Sequence, residues 1–247
     1  MTREGDAILA RVLLAVLFDV DFTLARPGPD LGPEGYRRLG ERYGLRLEPD
    51  RYPEARLGAI ANLKRHPELD HDDEVWVAFT EDIMRGMGGE DPNVHEAAVA
   101  MTQLWERSDH FELYGDALAC LAELRRHRLL IGLVSNTGRD LQEFVRHHGL
   151  DVDAAVSSRE HGKTKPDPTI FRLVLHRLSV GPAHAVMVGD SLEDDVYGAR
   201  ALGMQGFLLD REGVHDGEEA VLPDLHALPA ALGLRLTGEE EPERATS

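Results

Sequence analysis

The chain has 247 residues, and its hydrophobic fraction of 42% is sufficient for one large domain or for a core with a smaller insert. The 45 acidic residues outnumber the 27 Lys and Arg residues, and the formal charge of −18 argues against nucleic acids and anionic membranes as partners. A single cysteine excludes an internal disulfide, and no apolar run approaches the roughly 18 residues that span a bilayer, so we expect a cytoplasmic protein.

Predicted strands and helices alternate along most of the chain. Continuous apolar runs, typical of strands that are buried on both faces, occur at Val12–Phe18, Leu129–Val134, Ala154–Val156, Ala185–Val188 and Gln205–Leu209. Apolar residues at helical spacing predict helices at Asp116–His127, Asp140–His148, Pro168–Leu178 and Leu192–Leu202. This alternation is typical of an α/β fold, a parallel sheet with helices on both faces. Cys120 lies on the first of these helices beside leucines, where we expect a buried structural thiol.

Residues 27–107 break the alternation. They contain no convincing strand, and their pattern predicts helices at Pro33–Tyr43, Arg56–Lys64, Asp73–Met87 and Pro92–Glu106. An all-helical block after the first strand is expected to form a separate cap, residues 25–108, over a core built from residues 1–24 and 109–236. The polar, acidic tail, residues 237–247, is expected to be disordered.

Polar side chains follow the predicted strands, at the edge where open parallel sheets bind ligands. Asp19 and Asp21 come directly after the first strand, and such a pair can supply a nucleophile and a proton-transfer group. Ser135 and Asn136 end the second strand at a helix entrance, where a hydroxyl and backbone N–H groups bind an oxyanion or simply cap the helix.

Of two further segments, one is basic and the other is acidic. Lys163 and Lys165 precede a proline-stiffened helix start and can neutralise a phosphate and a carboxylate, although exposed surface lysines would show the same pattern. Four carboxylates between Asp190 and Asp195 crowd one strand end, which is unfavourable unless a cation or solvent relieves the repulsion. Oxygen ligands beside phosphate chemistry indicate Mg²⁺, while acids that stabilise a helix N-terminus are the alternative.

In this order, each at a strand end, the segments resemble those of the haloacid dehalogenase (HAD) superfamily. The resemblance covers residues 8–24 and 109–232, and its motifs are Asp19–Leu24, Ser135, Lys165–Pro168 and Gly189–Asp195. It implies a Rossmann-like core with an inserted all-helical cap, and a phosphoric monoester hydrolase that acts on a small phosphorylated metabolite. Phe22 departs from the family pattern, which often has Gly, Asn or Asp there, and it is bulky enough to narrow the entrance or pack against the cap.

The resemblance also implies catalytic roles. Asp19 attacks phosphorus and becomes an aspartyl phosphate, and Asp21 protonates the leaving oxygen and then activates water. Ser135 and the Asn136 backbone N–H bind phosphoryl oxygens. Lys165 holds the nucleophile and the phosphate together.

A magnesium site is implied by the same resemblance. Its ligands are the Asp19 carboxylate, the Asp21 backbone carbonyl and Asp190. A further acid lies four or five residues after Asp190 in the family, and both spacings are occupied here. Asp195 is favoured as a ligand through water, with Asp194 as the reserve.

Three other functions share part of this pattern. A 2-haloacid dehalogenase has the attacking aspartate, but that branch does not keep the second one, so Asp21 favours phosphate. A phosphomutase of the same superfamily would move the phosphoryl group between positions of one sugar, and no residue excludes it. A non-catalytic HAD-fold binding protein is expected to lose a motif residue, and none is lost.

Substrate choice is expected to lie in the cap, because the core supplies only phosphate chemistry. The most basic part of the insert consists of Arg56, Asn62, Lys64, Arg65 and His66. Arg56 and Lys64 are the candidates for binding the leaving group, although a solvated helix face would show the same residues. The sequence leaves open whether the protein is a monomer or a homodimer.

Overall fold

The computed structural model describes residues 12–63, 70–90, 92–215 and 220–234. The strands of these residues, numbered β1 to β8, are Ala15–Phe18, Ala25–Pro27, Phe111–Leu113, Leu130–Ser135, Ala154–Ser157, Ala185–Gly189, Gln205–Leu209 and Val221–Leu222. Their α-helices, numbered α1 to α10, are Pro33–Arg42, Tyr52–Leu63, Asp73–Gly86, Val94–Trp105, Ala117–Arg126, Leu141–His148, Ser158–His161, Pro168–Leu178, Gly198–Ala201 and Leu228–Ala231. A π-helix covers Leu192–Tyr197 between β6 and α9.

Six of the strands form one parallel sheet in the order β5-β4-β1-β6-β7-β8. β1 lies between β4 and β6, with Ala15 paired to both Leu130 and Ala185. All of β1 is buried, because helices cover both faces of the sheet. The strand order runs outward from β1 in both directions, so the ligand-binding crevice of such sheets lies at its carboxyl end. The predicted α/β fold with a parallel sheet is confirmed.

Alternate residues of β1 face two different apolar layers. Val16 and Phe18 belong to the layer formed with α5, α6 and α10, whereas Ala15 and Leu17 belong to the layer formed with α8 and α9. This follows from the period of two along a strand, which places successive side chains on opposite faces. Cys120 of α5 is 2% exposed, and burial raises the pKa of its thiol to about 12, so it is the buried thiol that we expected.

Helices α1 to α4 form the segment between β2 and β3, which we call the helical insert. Within it, α3 packs against α2 and α4, and α1 packs against α4. Buried insert side chains such as Tyr36, Ile83 and Met101 belong to the same continuous apolar layer as Val16 and Phe18. The predicted helices are therefore present, while the division into a core domain and a cap domain stays a prediction.

Several short elements were not predicted from the sequence. β2 and β3 pair as an antiparallel ribbon at the two ends of the insert, with Pro27 opposite Phe111. Strands of two or three residues, such as β2, β3 and β8, are too short to show a period of two, so a search for periodicity misses them. The predicted helix Leu192–Leu202 is divided into the π-helix and α9.

Some expectations concern residues outside the described part of the chain. These are the acidic tail and three basic residues of the insert, Lys64, Arg65 and His66. Within the described residues, no helix combines the length and apolar character that a membrane crossing requires. The cytoplasmic location and the oligomeric state stay predictions.

Candidate active site

The residues predicted at the strand ends surround one cavity of about 940 Å³ between the sheet edge and the helical insert. Asp19 follows β1, Ser135 ends β4 and Asp190 follows β6, because the carboxyl ends of parallel strands meet at one edge. Lys165 comes from the loop between α7 and α8. All of the predicted core site residues line the cavity: Asp19, Asp21, Ser135, Asn136, Lys165, Asp190, Asp194 and Asp195.

Lys165 ties two carboxylates together in the interior. Its Nζ donates a hydrogen bond of 2.6 Å to Asp19 Oδ1 and another of 2.6 Å to Asp195 Oδ1. Lys165 is only 4% exposed. Burial alone disfavours the ammonium charge, but the Asp19 and Asp195 carboxylates outweigh burial and raise the pKa of Lys165. Lys165 is therefore a permanent cation that holds Asp19 in place beside the cavity.

The Asn136 side chain holds the backbone that carries Lys165. Its Oδ1 accepts a hydrogen bond of 2.6 Å from the Lys165 backbone N–H, and its Nδ2 donates one of 3.1 Å to the Lys165 carbonyl oxygen. Sequence reasoning gave Asn136 only a backbone N–H for phosphate. The side-chain amide adds a link between the end of β4, where Ser135 is buried, and the lysine loop.

The π-helix after β6 decides which acid joins the cluster. Asp195 is buried, and its Oδ2 accepts a hydrogen bond of 3.0 Å from the Ser191 backbone N–H. Asp194 is half-buried at the cavity wall, and its backbone N–H donates to Ser191 Oγ at 3.2 Å. Gly189 leaves space for the buried carboxylate, since a Cβ there would lie 2.1 Å from Asp195 Oδ2. Asp195 is therefore the buried acid of the two, and its expected role as a ligand through water stays a prediction.

An oxygen-only cluster lies beside Lys165. Carboxylate oxygens of Asp19, Asp190 and Asp195 lie within 4.8 Å of one another. Desolvation within the site and the neighbouring Asp19 and Asp195 carboxylates raise the pKa of Asp190 well above its ordinary value, although the residue is exposed at the cavity. Burial also raises the pKa of Asp195 to about 7, against the lowering effect of Lys165. Crowded carboxylates are stabilised by a bound cation, and an all-oxygen donor set fits a hard divalent ion such as Mg²⁺.

A buried arginine that sequence reasoning missed binds Asp21. Arg139 Nη2 donates hydrogen bonds of 2.7 and 2.8 Å to Asp21 Oδ1 and Oδ2, and Nη1 donates one of 3.1 Å to Oδ1. Burial raises the pKa of Asp21, Arg139 lowers it and Asp19 raises it, and the net change is upward. Arg139 stands three residues after Asn136, so a basic residue at this helix entrance was the available sequence signal.

Phe22 has an unusual backbone and a partner in the insert. Its φ is +64°, in the left-handed region that Gly, Asn and Asp adopt more readily than an aromatic residue does. Its ring centroid lies 4.6 Å from the guanidinium carbon of Arg56 on α2, so Phe22 packs against the insert as expected. The next residue, Thr23, donates a long hydrogen bond of 3.4 Å from Oγ1 to Asp19 Oδ2.

The residues of the basic part of the insert lie at different places relative to the cavity. Arg56 lines the cavity, whereas Asn62 Nδ2 donates a hydrogen bond of 2.9 Å to Asp82 Oδ2 on an exposed surface. Lys64 is outside the described residues, and its candidate role stays a prediction. The apolar part of the insert wall consists of Tyr52, Ile60, Leu63, Val75, Trp76, Phe79, Ile83 and Trp105.

Comparisons with known proteins agree with this architecture. A family model for haloacid dehalogenase-like hydrolases matches residues 13–203. Haloacid dehalogenase-like hydrolase domain-containing protein 3 of Danio rerio is 30% identical over 234 residues, which cover 88% of this chain and 95% of that protein. A phosphoserine phosphatase of Thermus thermophilus is 36% identical over 144 residues, which cover 56% of this chain and 55% of that protein. The crystal structure of a HAD phosphatase from Thermococcus onnurineus is 27% identical, with a TM-score of 0.63, and the match covers 91% of this chain and 100% of that one.

Sequence similarity and structure lead to the same assignment. The matched range, residues 13–203, includes the helical insert and the strand-end segments that carry Asp19, Ser135, Lys165 and Asp190. The expectation of a hydrolase is confirmed by this match. The chain belongs to the haloacid dehalogenase-like hydrolases.

Proposed function

We propose that this hydrolase is a Mg²⁺-dependent phosphatase that releases phosphate from a small phosphorylated metabolite, with Asp19 as the nucleophile. The observation that carries the proposal is the position of Asp19, which Lys165 holds at the sheet edge beside Ser135 and the acidic cluster. Phosphoryl transfer depends mainly on a positioned nucleophile and on positive charge near the phosphate. This site supplies the first and, together with a cation, the second.

The reaction has two steps. In the first, an Asp19 carboxylate oxygen bonds to phosphorus while the bond from phosphorus to the leaving oxygen breaks, and Asp21 donates a proton to that oxygen. In the second, Asp21 accepts a proton from water as the water oxygen bonds to phosphorus, and the bond from phosphorus to Asp19 breaks. Ser135 and the Asn136 backbone N–H bind phosphoryl oxygens, and the Lys165 ammonium neutralises charge between the nucleophile and the phosphate.

Mg²⁺ would be held by Asp19, Asp190 and the Asp21 backbone carbonyl, with Asp195 acting through water. When bound, the ion would neutralise negative charge, which allows a carboxylate to approach an anionic phosphate. Lys165 supplies one positive charge against three carboxylates of the cluster, so a divalent cation completes the charge balance.

Phosphate is favoured over a haloacid for two reasons. Several relatives that the chain resembles are named as phosphatases, whereas the solved structures that it resembles include both phosphatases and dehalogenases, so the relatives carry this reason. Asp21 is present and bound by Arg139, whereas the dehalogenase branch does not keep this aspartate. A phosphomutase of the same superfamily would use the same residues and would differ in its product.

We also propose that the insert wall binds the leaving group. Trp76 and Phe79 stack edge to face with ring centroids 6.2 Å apart, and both line the cavity together with Tyr52. Arg56 is the cation of this wall among the described residues, and its guanidinium lies on the Phe22 ring. Three carboxylates of the insert, Asp70, Asp72 and Glu106, also line the cavity. The aromatic part of the wall, with Arg56 beside it, fits a leaving group that has an apolar or ring-shaped portion.

The test is phosphate release from a panel of phosphorylated metabolites, with and without Mg²⁺, by the wild type and by Asp19→Asn. The panel pairs ring-bearing monoesters with short polar ones such as phosphoserine. We expect turnover that requires both the metal and Asp19, with the highest kcat/KM for ring-bearing esters. Absence of phosphate release with every divalent metal would overturn the proposal, and chloride release from haloacids would then be assayed.

The leaving-group site is tested separately by Arg56→Ala. Loss of the guanidinium should lower kcat/KM for the best substrate about tenfold, mainly through KM, because a desolvated cation contact contributes about 1–2 kcal/mol to binding. Asn62→Ala, on the exposed side of the same helix, is the control and should leave KM unchanged. Equal KM values for wild type and Arg56→Ala would contradict a role in binding the leaving group.

A further inference from the structure

Arg139 is a charged side chain in the interior of the protein, next to the proton-transfer residue. It is 1% exposed, and its guanidinium carbon lies 3.6 Å from the Phe111 ring centroid and 5.2 Å from the Phe144 ring centroid. A buried guanidinium requires a hydrogen-bonded partner of opposite charge. Asp21 is that partner, through three hydrogen bonds, and Thr137 Oγ1 accepts a fourth at 3.3 Å.

Asp21 is held by this arginine but remains accessible from the cavity. Its side chain is 18% exposed, and it lines the cavity together with Asp19. The planar guanidinium contacts both oxygens of the carboxylate, so it restricts the rotation of the group as well as its position. Proton transfer needs the donor within hydrogen-bond reach of the leaving oxygen and in the right orientation. Arg139 is therefore placed to set the direction from which Asp21 reaches that oxygen.

The Arg139 guanidinium also contacts the β2–β3 ribbon, which joins the helical insert to the rest of the protein. Phe111 is the first residue of β3 and pairs with Pro27 of β2, in the ribbon where the chain enters and leaves the insert. Phe144 belongs to α6, in the same apolar layer as Phe111. Arg139 thus lies against one ring of the ribbon and one ring of α6, and the position of Asp21 depends on both.

We propose that Arg139 is a positioning residue, which acts through Asp21 by fixing the orientation of that carboxylate relative to the leaving oxygen. The proposal rests on the phosphatase function proposed above. The proton moves from the Asp21 carboxyl group to the leaving oxygen as the bond from phosphorus to oxygen breaks, and Arg139 keeps its own protons throughout. A purely structural ion pair would support the fold without affecting one chemical event more than another.

The experiment compares two substrates that differ in their need for a proton. An alkyl phosphate has a strongly basic leaving oxygen, whereas 4-nitrophenyl phosphate releases a weakly basic phenolate. The variant Arg139→Lys keeps the charge but loses the contact with both oxygens. We expect its kcat/KM to fall about 100-fold for the alkyl phosphate and less than about fivefold for 4-nitrophenyl phosphate. Equal losses for the two substrates, or no loss for either, would overturn the proposal.

A double-mutant cycle shows whether Arg139 acts through Asp21. Asp21→Asn alone should show the same dependence on the leaving group. Adding Arg139→Lys to that variant should lower kcat/KM for the alkyl phosphate by less than about twofold more, because the residue it positions is already inactive. Losses that multiply would show independent roles and would contradict the proposal.

Arg211→Lys is the matched control. Arg211 also donates to both oxygens of a buried aspartate, Asp116, at 2.8 and 3.0 Å, and its guanidinium carbon lies 3.8 Å from the Tyr114 ring centroid. Neither partner of this pair lines the cavity. We expect the control to lose stability without changing the ratio of the two kcat/KM values.

A second variant covers the case in which Arg139→Lys does not fold. Phe111→Leu removes the ring that contacts the guanidinium but keeps an apolar side chain. Its kcat/KM should fall by less than that of Arg139→Lys, and again more for the alkyl phosphate than for 4-nitrophenyl phosphate. A loss without that selectivity would overturn the proposal. The alkyl phosphate is the best alkyl substrate of the metabolite panel. A wild type that hydrolyses no member of that panel with any divalent metal would instead overturn the phosphatase function, and with it this role.

Discussion

Lys165 and Asp195 form a buried ion pair at the floor of the site, next to Asp19. Removing two charges from water is unfavourable, so such a pair is weak support for stability by itself. Here the pair has a further use, because the same Nζ also binds Asp19. Asp194 is adjacent in sequence but is not one of the clustered carboxylates. The two neighbouring acids are therefore expected to differ sharply in function.

The first prediction compares Asp195→Asn with Asp194→Asn. Loss of the buried carboxylate should raise the Mg²⁺ concentration for half-maximal activity by about 10- to 100-fold. Substitutions of residues that orient metal ligands typically have effects of this size. The same substitution at Asp194 should change it less than about twofold and serves as the control. The measurement is a Mg²⁺ titration of phosphate release, and similar midpoints for the two variants would contradict the assignment.

At the scale of elements, the turn after β6 is shaped to bring Asp195 inward. The Ser191 carbonyl oxygen accepts hydrogen bonds from the backbone N–H groups of Asp195 at 3.0 Å and Val196 at 3.3 Å, so the helix is wider than an α-helix at this point. π-helical turns of this kind occur frequently at functional sites. The widened turn places the Asp195 carboxylate directly against the end of β6, where the residue is Gly189.

The second prediction concerns Gly189→Ala. A Cβ at this position would lie 2.1 Å from Asp195 Oδ2, so the carboxylate must move and its contact with Lys165 must weaken. We expect kcat/KM to fall at least about tenfold and the free energy of unfolding to fall by about 1–3 kcal/mol. Activity assays and urea unfolding measure the two effects. Wild-type activity in the variant would show that the Asp195 position is not needed.

Gly58→Ala is the control for a glycine-to-alanine change. Gly58 lies within α2, and a Cβ there would meet nothing within 4 Å. Because alanine favours the helix over glycine, the free energy of unfolding should rise by about 0.5–1 kcal/mol. The kinetic constants should not change.

The third prediction concerns Asp116, which precedes α5 and binds Arg211 after β7. Burial raises the pKa of Asp116, but hydrogen bonds from Arg211 and from the Leu225 backbone N–H outweigh it and lower the pKa below 3.8. A carboxyl group whose pKa is lower in the folded state stabilises the fold above its unfolded pKa, and this stabilisation is lost as pH falls through the folded pKa. In Asp116→Asn, the free energy of unfolding at pH 7 should be lower than in the wild type by about 1–3 kcal/mol.

Urea unfolding at pH 7 and pH 3 measures this effect. The difference between Asp116→Asn and the wild type should narrow as the pH falls below about 4, where the unfolded carboxyl group begins to bind protons. A difference that stays constant over this range would show that the Asp116 charge does not contribute to stability.

At the scale of the whole molecule, a formal charge of −18 opposes the approach of an anionic substrate. In the proposed function, Lys165 and a cation would act only within the site, whereas the surface charge acts over the electrostatic screening length of the solution. Added salt shortens this length from about 30 Å at 0.01 M to about 8 Å at 0.15 M. Salt should therefore help the substrate to reach the cavity.

The fourth prediction follows from the electrostatic repulsion between this negative charge and an anionic substrate. Between 0.01 and 0.15 M salt, at constant free Mg²⁺, kcat/KM for a doubly charged phosphate monoester should rise about two- to fivefold while kcat stays constant. A monoester that also carries a positive ammonium group is the control and should respond less. A fall in kcat/KM with salt would show instead that local cations attract the substrate.

Local sequence patterns are sufficient to predict the parallel sheet and several of the residues at its carboxyl edge. Buried parallel strands need continuous apolar runs, so β1, β4, β6 and β7 are visible without tertiary information. Because parallel strands end at one edge, the residues that follow them must meet there. The convergence of Asp19, Ser135 and Asp190 at one cavity is therefore predictable from chain order and strand length, whereas Lys165 reaches the cavity from the loop between α7 and α8.

Tertiary structure alone decided the contacts that orient these residues. Arg139 and Asp21 are 118 positions apart, and no periodicity relates them. Their pairing depends on how α6 and the β2–β3 ribbon pack, because the rings of Phe144 and Phe111 place the guanidinium. The same holds for which of the two neighbouring acids is buried. The π-helix brings the Asp195 carboxylate against Lys165 and leaves Asp194 half-buried, while the roles of both acids stay predictions. Local patterns predict elements, whereas such pairings arise only when distant elements pack together.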